Sequence, residues 1–339
     1  MTPLEESVDQ LAASTGFSGV IRVDDGDEIV LAKAYGFAHR GYGIRNTVDT
    51  RIAIASGSKA LTALAVVSLI ESGALKLSTT ARSVLGDDLP LIADDVTVEH
   101  LLSHRSGIGD YLDEDVLVGK NDYLMTLPLH ELAETEPFLR MLDGHETKAP
   151  AGSTFSYCNG GFVVLAVIAE RVSGTPFHDL VRQRVCVPAG MHDTAFLRTD
   201  EPEGNTALGY LESDGNRTNI FHLPVRGNGD GGVYTTAADI HTFWAAFFAG
   251  RIVSPEWVAN MVRSRSDVTW LESPPERYGL GFWLDVSDDR VMLEGSDAGA
   301  SFRSVHDPAS HSTDTVISNV TDAAWPLAKL LAEMRRQTS

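Results

Sequence analysis

Residues 52–78 read IAIASGSKALTALAVVSLIESGALKLS, a long apolar run that opens with a short polar segment. The apolar side chains of this run go almost all the way round a helix, which is typical of a helix buried at the centre of a fold. Gly73 is the expected C-terminal cap of that helix. A helix N-terminus favours negative charge, so the ammonium of Lys59 is electrostatically out of place where the helix begins.

The spacing of Ser56 and Lys59 offers a chemical reason for this lysine. Positions three residues apart share one face of a helix, so the Ser56 hydroxyl and the Lys59 ammonium can meet. The helix onset and burial would lower the pKa of Lys59, and a neutral amine can take the proton of a serine nucleophile. The alternative is a lysine whose ammonium reaches water from the end of a buried helix.

A second polar motif precedes another apolar helix. Residues 149–174 read APAGSTFSYCNGGFVVLAVIAERVSG, with Tyr157 and Asn159 just before the apolar run. A tyrosine hydroxyl beside a lysine can relay a proton, and an asparagine amide can orient a carbonyl substrate. The alternative is that both residues belong to a helix-capping turn.

The composition excludes several classes of function. The chain has 339 residues and a formal net charge of −20, which argues against nucleic acid and against anionic membrane surfaces as partners. Two cysteines, Cys158 and Cys186, are too few for a disulfide framework. The N-terminal residues lack the basic and apolar regions of a signal peptide, and no apolar stretch reaches the ~18 residues of a membrane span. We therefore expect a cytoplasmic protein.

The order of the elements predicts the architecture. Strand-like segments lie at both ends of the chain, including a hairpin over residues 19–38, and helical patterns fill the middle. We predict an α/β fold of the α+β type, with an antiparallel sheet built from N- and C-terminal strands and flanked by helices. The predicted sheet lobe comprises residues 1–75 and 276–339, and the predicted helical lobe comprises residues 76–275. A cleft between the two lobes is the natural place for a ligand.

Taken together, the motifs resemble those of the serine β-lactamase and penicillin-binding-protein superfamily, in its class C β-lactamase-like branch. That branch includes DD-carboxypeptidases, D-amino-acid amidases and β-lactamase-like esterases. The resemblance implies that Ser56 is the nucleophile and Lys59 its base, with Tyr157 and Asn159 in support, in a β-lactamase/transpeptidase-like fold. The segments that carry it occur in the family's order and spacing: FSGVIRVDDGDEIV, RIAIASGSKALTALAVVSLIESGAL, VTVEHLLSHRSGIGDY, PAGSTFSYCNGGF, GNGDGGVYTTAADI and YGLGFWLDV.

The third motif of this family departs from the pattern. In the family it lies on a late strand and reads Lys/His-Thr/Ser-Gly or His-x-Gly, whereas residues 293–302 here read LEGSDAGASF. The equivalent triplet is either Ser296-Asp297-Ala298 or Asp297-Ala298-Gly299. Neither contains the cation that would face a substrate carboxylate.

Two further expectations follow for this strand. An oxyanion-hole N–H is expected from about Gly299 or Ala300, beside that of Ser56. Arg303 lies on the same two-residue alternation as Asp297, and it is a candidate substitute for the missing cation.

Other polar residues are assigned structural roles. The histidines show no metal-ligand spacing, so no zinc site is expected, and His104 and His241 are interpreted as residues satisfied by hydrogen bonds. The glycine-rich segment 226–232 lacks a following Gly-Lys-Ser/Thr and is predicted to be a loop in the cleft wall. The acidic run 110–115 is interpreted as solvated surface.

The predicted function is that of a serine hydrolase. It would cleave small-molecule carboxylic esters or uncharged amides through an acyl-enzyme on Ser56, and this chemistry needs no metal or organic cofactor. The alternative activities are those of a β-lactamase and of a D-amino-acid peptidase or DD-carboxypeptidase. A third hypothesis, from another class, is a catalytically silent homologue that binds a ligand.

Overall fold

The terminal strands meet in one sheet, as predicted. The computed structural model describes residues 2–114, 116–117, 119–268 and 276–338. The strands of the described residues are β1 (Gly19–Asp25), β2 (Glu28–Tyr35), β3 (Phe37–His39), β4 (Ile44–Arg45), β5 (Ile52–Ala53), β6 (Tyr234–Thr235), β7 (Ser266–Val268), β8 (Glu276–Tyr278), β9 (Trp283–Asp285), β10 (Val291–Asp297), β11 (Ala300–Asp307) and β12 (Ser312–Ser318). Eight of them form the main antiparallel sheet, in the order β2-β1-β12-β11-β10-β9-β8-β7.

The register explains how the two ends of the chain close the sheet. β1 pairs with β12 along its whole length, from Gly19 opposite Ser318 to Asp25 opposite Ser312. β1 also pairs with β2 in the hairpin predicted from the turn at Asp25. The fold class inferred from the sequence is therefore confirmed.

Helices lie on both faces of the sheet. They are α1 (Pro3–Thr15), α2 (Lys59–Glu71), α3 (Ala81–Leu85), α4 (Val98–Leu102), α5 (Leu139–Leu142), α6 (Asn159–Ser173), α7 (Phe177–Val181), α8 (Val187–Ala189), α9 (Ala237–Phe248), α10 (Pro255–Met261) and α11 (Trp325–Thr338). On one face, α1 and α11 bury Val8 and Leu327 against Ile21 and Val316 of the sheet. On the other face, the main core joins α2, α6 and α9 to the sheet.

The central helix α2 is buried on all sides, which agrees with its apolar pattern. It begins at Lys59 rather than at Ser56, because Ala55–Ser58 form a 3₁₀ turn before it. Gly73 follows the helix with φ 82°, a left-handed conformation that favours glycine and ends the helix. Ser56 therefore lies on a turn at the helix entrance, not within the helix.

The predicted lobe boundaries differ in two places from the packing of the elements. β7 extends the sheet into the segment assigned to the helical lobe. Helix α9, from the same segment, packs against β1 and β12 of the sheet. Residues 269–275, at the predicted boundary, lie outside the described residues.

No single helix in the described ranges is long and apolar enough to cross a membrane. The segments Asn159–Ser173 and Phe177–Ala189 reach the required length and composition only when they are taken together, and a bend of 84° separates them.

Candidate active site

The turn that carries Ser56 has an unusual backbone. Ala55, immediately before it, has φ 46°, a left-handed conformation that costs energy for a residue with a β-carbon. The Ser58 hydroxyl stabilises the turn by donating to the Ala55 carbonyl at 2.7 Å and accepting from the Val233 amide at 3.0 Å. The turn leaves Ser56 partly exposed while its neighbours are buried.

Lys59 contacts the nucleophile candidate directly. Its Nζ lies 2.8 Å from Ser56 Oγ, 2.8 Å from Asn159 Oδ1 and 2.7 Å from the Asp230 carbonyl oxygen. The residue is only 2% exposed. Burial lowers the pKa of Lys59, although the carboxylates of Asp230 and Glu114 oppose this shift. The amine therefore loses its proton more readily than a lysine in water.

Tyr157 completes this arrangement from the other side of the cleft. Its hydroxyl interacts with Ser56, and Lys59 Nζ lies 5.0 Å from the centre of its ring. Burial first, and then the charge of Glu114, raises the pKa of Tyr157 well above its ordinary value. Tyr157 therefore stays a neutral phenol near neutral pH, able to donate and pass on a proton.

The Asn159 side chain binds Lys59 and does not present a free amide to a substrate carbonyl. Asn159 is the first residue of α6, and its Oδ1 accepts from Lys59 while its Nδ2 donates to the Leu112 carbonyl at 3.0 Å and to Glu114 Oε1 at 3.1 Å. These contacts engage both the oxygen and the nitrogen of the Asn159 side-chain amide. The structure thus brings Asn159 to the predicted site, where it orients the lysine.

The acidic run was interpreted as solvated surface, and for Asp110 this interpretation is wrong. Asp110 is 7% exposed, and its carboxylate accepts from the amides of Asn159 at 2.5 Å and Gly160 at 2.8 Å. A carboxylate at a helix N-terminus satisfies free N–H groups and complements the helix dipole. Burial raises the pKa of Asp110 to about 6, against these hydrogen bonds. Asp115 lies outside the described residues.

The structure corrects the register of the third motif. Both proposed triplets extend into the turn Ala298-Gly299 between β10 and β11, whereas the family motif lies on a strand. Gly295 is the glycine on β10, and a β-carbon there would lie 2.7 Å from the Ser56 amide nitrogen and would also meet the Ile54 carbonyl oxygen. The triplet equivalent to Lys/His-Thr/Ser-Gly is therefore 293–295, Leu-Glu-Gly, and its first position is a buried leucine.

The corrected register also moves the expected oxyanion-hole amide. Asp297 and Ala300 flank a two-residue turn, so they exchange both of their backbone hydrogen bonds with each other. The Gly299 amide donates to Thr321 Oγ1 at 2.8 Å. The expectation that Gly299 or Ala300 supplies the N–H is therefore wrong, since both amides are already engaged.

The backbone amide of Ser296 is better placed to supply the oxyanion-hole N–H. Backbone groups alternate between the two edges of an antiparallel strand, so the Ser296 N–H points away from β11. β9 covers that edge only at Val291 and Met292. The Ser296 hydroxyl points elsewhere, donating to Asp322 Oδ1 at 2.7 Å and accepting from Lys120 Nζ at 2.8 Å.

Arg303 does not replace the missing cation. The turn between β10 and β11 resets the alternation, so Ala300 and Phe302, not Arg303, share the face of Asp297. Arg303 is opposite Glu294 and forms an ion pair with it at 2.9 Å. It lines a different cavity, together with Val316 on the other face of the sheet.

Asp297 faces the cleft. Its Oδ2 lies next to Gly231. Gly231 in turn lies next to the carbonyl group of Ala55, the residue immediately before Ser56. Burial raises the pKa of Asp297 to about 7, although the charge of Lys59 opposes the shift. A carboxylate thus lies in the cleft, close to the turn that carries Ser56.

A cavity adjoins this carboxylate. The glycine-rich loop 226–232 forms one wall, as predicted, through Gly227, Asn228 and Asp230. The Tyr111 hydroxyl donates to Asp230 Oδ2 at 2.5 Å. Tyr111 and Asp230 have no predicted role in the sequence analysis, although both lie in segments that carry the family resemblance.

The two singled-out histidines have different surroundings. His104 Nδ1 accepts from the Cys158 amide at 3.1 Å, and its ring lies 4.2 Å from that of Tyr157. Within the described ranges, His104 Nε2 has no hydrogen-bond partner. His241 Nδ1 lies 3.4 Å from Asp24 Oδ2. No group of three metal-ligating side chains occurs among the residues that the structure describes.

Comparison with known proteins assigns the family. The sequence model of the Beta-lactamase family matches residues 4–329. The crystal structure of a penicillin-binding protein from Bacillus halodurans superimposes with a TM-score of 0.88 and 31% identity, covering 96% of this chain and 99% of that one.

Two curated relatives are also similar. The putative penicillin-binding protein PbpX of Bacillus subtilis is 28% identical over 79% of this chain and 62% of its own length, so the chain spans less than two thirds of that relative. Esterase EstB of Burkholderia gladioli is 28% identical over 77% of this chain and 73% of its own length. With a match over nearly the whole chain, this protein belongs to the β-lactamase family.

Proposed function

We propose that the protein is a serine hydrolase that cleaves carboxylic esters or uncharged amides through an acyl-enzyme on Ser56. The observation that carries this proposal is the 2.8 Å contact between Lys59 Nζ and Ser56 Oγ at the entrance of a buried helix. A neutral amine has two donors and one lone pair. It can donate to Asn159 and to the Asp230 carbonyl while accepting the Ser56 proton.

The acylation step follows from these contacts. Ser56 Oγ attacks the carbonyl carbon and its proton passes to Lys59 Nζ, while the carbonyl oxygen becomes an oxyanion. The amides of Ser56 and Ser296 are placed to stabilise that oxyanion. Lys59 returns the proton to the leaving alcohol or amine through the Tyr157 hydroxyl, and the carbon–leaving-group bond breaks.

Deacylation uses the same groups in reverse. Water attacks the acyl carbon and gives its proton to Lys59, and the Tyr157 hydroxyl relays that proton. The bond to Ser56 Oγ breaks, the acid leaves, and Ser56 recovers its proton. Since Tyr157 has a strongly raised pKa, Lys59 acts as the base and Tyr157 as a neutral relay.

The substrate class is inferred from charge. Leu293 occupies the first position of the third motif, where the family has lysine or histidine, and it is buried. Asp297 instead adds a carboxylate to the cleft. A substrate carboxylate near this strand is therefore unsupported, which favours esters and uncharged amides.

One observation favours the alternative of a β-lactamase or D-amino-acid peptidase. Lys120 Nζ contacts Ser296 Oγ at 2.8 Å, so a cation lies at the end of β10. It is the candidate anchor for a substrate carboxylate. Its ion pair with Asp322, at 2.7 Å, already neutralises it, and this is why we rank the esterase first.

The test compares substrates and active-site labelling. We expect nitrophenyl esters to be hydrolysed with higher kcat/KM than nitrocefin or D-Ala anilides. A fluorophosphonate probe should label the wild type and the exposed-serine control Ser83→Ala, but not Ser56→Ala. Hydrolysis of nitrocefin alone would favour the lactamase, and an unlabelled wild type without turnover would favour a silent binding homologue.

A further inference from the structure

The cavity beside the nucleophile candidate has acidic side chains but no cationic side chain among its described lining residues. Two carboxylates, those of Asp297 and Asp230, line it, and none of the described lining residues is a lysine or arginine. The other walls are mostly apolar or aromatic, including Met125, Tyr111 and Tyr234. A carboxylate beside apolar walls is costly without a counter-charge.

The nearby cations are already committed to other partners. Lys59 Nζ contacts Ser56, Asn159 and the Asp230 carbonyl. Lys120 pairs with Asp322 and contacts the Ser296 hydroxyl. Among the described residues, no side chain donates a hydrogen bond to the Asp297 carboxylate, and Asp230 receives its side-chain hydrogen bond from the uncharged phenol of Tyr111.

A second observation, independent of the charges, also indicates a ligand. Asn228, another lining residue, is 1% exposed, and its Nδ2 has no hydrogen-bond partner in the described part of the chain. Its Oδ1 is engaged by the Gly229 amide at 2.7 Å, which fixes the orientation of the side chain. A buried donor without an acceptor is costly, and the acceptor of a bound substrate would remove that cost.

From this geometry we infer that the cavity holds a positively charged ammonium group of the substrate, between Asp297 and Asp230. The aromatic rings of Tyr111 and Tyr234 suit a cation as well, since ring faces attract positive charge. A carbonyl or other acceptor of the same substrate would meet Asn228. The inference rests on the proposed function and specifies one class of its substrates: carboxylic esters that carry an ammonium group.

The test uses pairs of substrates that have the same shape but a different charge. On the acyl side, 4-nitrophenyl 4-(trimethylammonio)butanoate is compared with 4-nitrophenyl 5,5-dimethylhexanoate. On the leaving-group side, acetylcholine is compared with 3,3-dimethylbutyl acetate. Because the charge of the trimethylammonium group is permanent, the substrate does not titrate with pH. The ratio of the two kcat/KM values within a pair does not change when a variant loses activity toward both substrates equally.

We expect the wild type to prefer the cationic member of at least one pair by at least about tenfold, the scale of a close charge pair. Asp297→Asn should reduce that ratio severalfold. The control Asp122→Asn removes the same charge from an exposed position two residues from Lys120, and it should leave the ratio unchanged. Equal rates within both pairs, or a ratio that Asp297→Asn does not change, would overturn the inference.

Binding of tetramethylammonium separates this inference from the proposed function. It should inhibit ester hydrolysis competitively and raise the Tm of the wild type more than that of Asp297→Asn. If no ester is hydrolysed and no probe labels Ser56, the proposed function fails, and the Tm comparison still tests the cation site. Equal Tm shifts in the two proteins would then reject the site as well.

Discussion

Gly295 on β10 approaches the Ser56 turn so closely that a β-carbon on it would lie 2.7 Å from the Ser56 amide nitrogen. This approach brings the edge of β10, with the Ser296 N–H, beside the nucleophile candidate. The glycine is needed for space rather than for conformational freedom, since its φ is not in the left-handed region. This close approach of Gly295 to the Ser56 turn decides which residues of β10 lie beside the nucleophile candidate.

Gly295→Ala should therefore impair catalysis strongly. The added methyl group would push the strand away from the Ile54 carbonyl and the Ser56 amide, which separates the two oxyanion donors. We expect kcat to fall by about 10²–10³, the effect of losing one such donor. The control Gly204→Ala has open space around the new β-carbon and should keep full activity. Normal kinetics in Gly295→Ala would contradict the assignment of Ser296.

Ser56→Ala should abolish turnover and leave the fold intact, because the partly exposed hydroxyl fills no core space. We expect a loss of at least ~10³ in kcat, the scale for a nucleophile in a coupled group. Thermal unfolding checks the fold, and mass spectrometry checks for an acylated residue. Substantial activity with acylation elsewhere would reject Ser56 as the nucleophile.

Lys59→Ala and Tyr157→Phe should each lower kcat by at least ~10², the lower range for proton-transfer groups. Their effects should not multiply, since both groups serve one proton path to and from Ser56. Kinetics of the double variant measure this coupling. A deficit equal to the product of the single losses would mean that the two groups act independently.

Asp297→Lys should change the response to substrate charge. In the wild type, the Asp297 carboxylate should make an anionic substrate bind less well than its neutral methyl ester, by an amount that shrinks with salt. The lysine should narrow this gap, mainly through KM. The measurement is the anion-to-ester ratio of kcat/KM in both proteins. If a well-folded variant keeps the wild-type ratio, the charge argument for ranking esterase above lactamase is lost.

The preference for a cationic substrate should depend on pH. The Asp297 carboxyl, with a pKa of about 7, faces the charges of Lys59, Asp230, Glu114 and Lys120. It is neutral below that pH and negative above it, so the kcat/KM ratio for the trimethylammonium pair should rise as the pH increases through about 7. The same profile in Asp297→Asn is the control. A flat wild-type profile would show that this carboxyl does not contact the cation.

Local patterns predict part of the geometry around Ser56 and Lys59. The apolar run after Lys59 predicts the buried helix α2, and the three-residue spacing predicts that Ser56 and Lys59 can meet; the structure shows this contact at 2.8 Å. The placement of Tyr157 and Asn159 beside Lys59 depended on the resemblance to a family, because residues so far apart in the chain meet only in the fold. The prediction that Asp110 is solvated is wrong, since an acidic run has the same sequence pattern whether it is solvated or caps a helix.

What the sequence by itself determined is the set of features that repeat locally: the helix and strand periods, the helix entrance at Ser56, and the absence of a cation from the third motif. Only the tertiary structure decided the register of that motif, because the turn at Ala298-Gly299 reverses the strand and places Ala300, not Arg303, on the face of Asp297. It also decided the charge of the cleft, since Asp230 and Asp297 line one cavity from separate parts of the chain. Contacts of that kind depend on packing between distant segments, which no local pattern encodes.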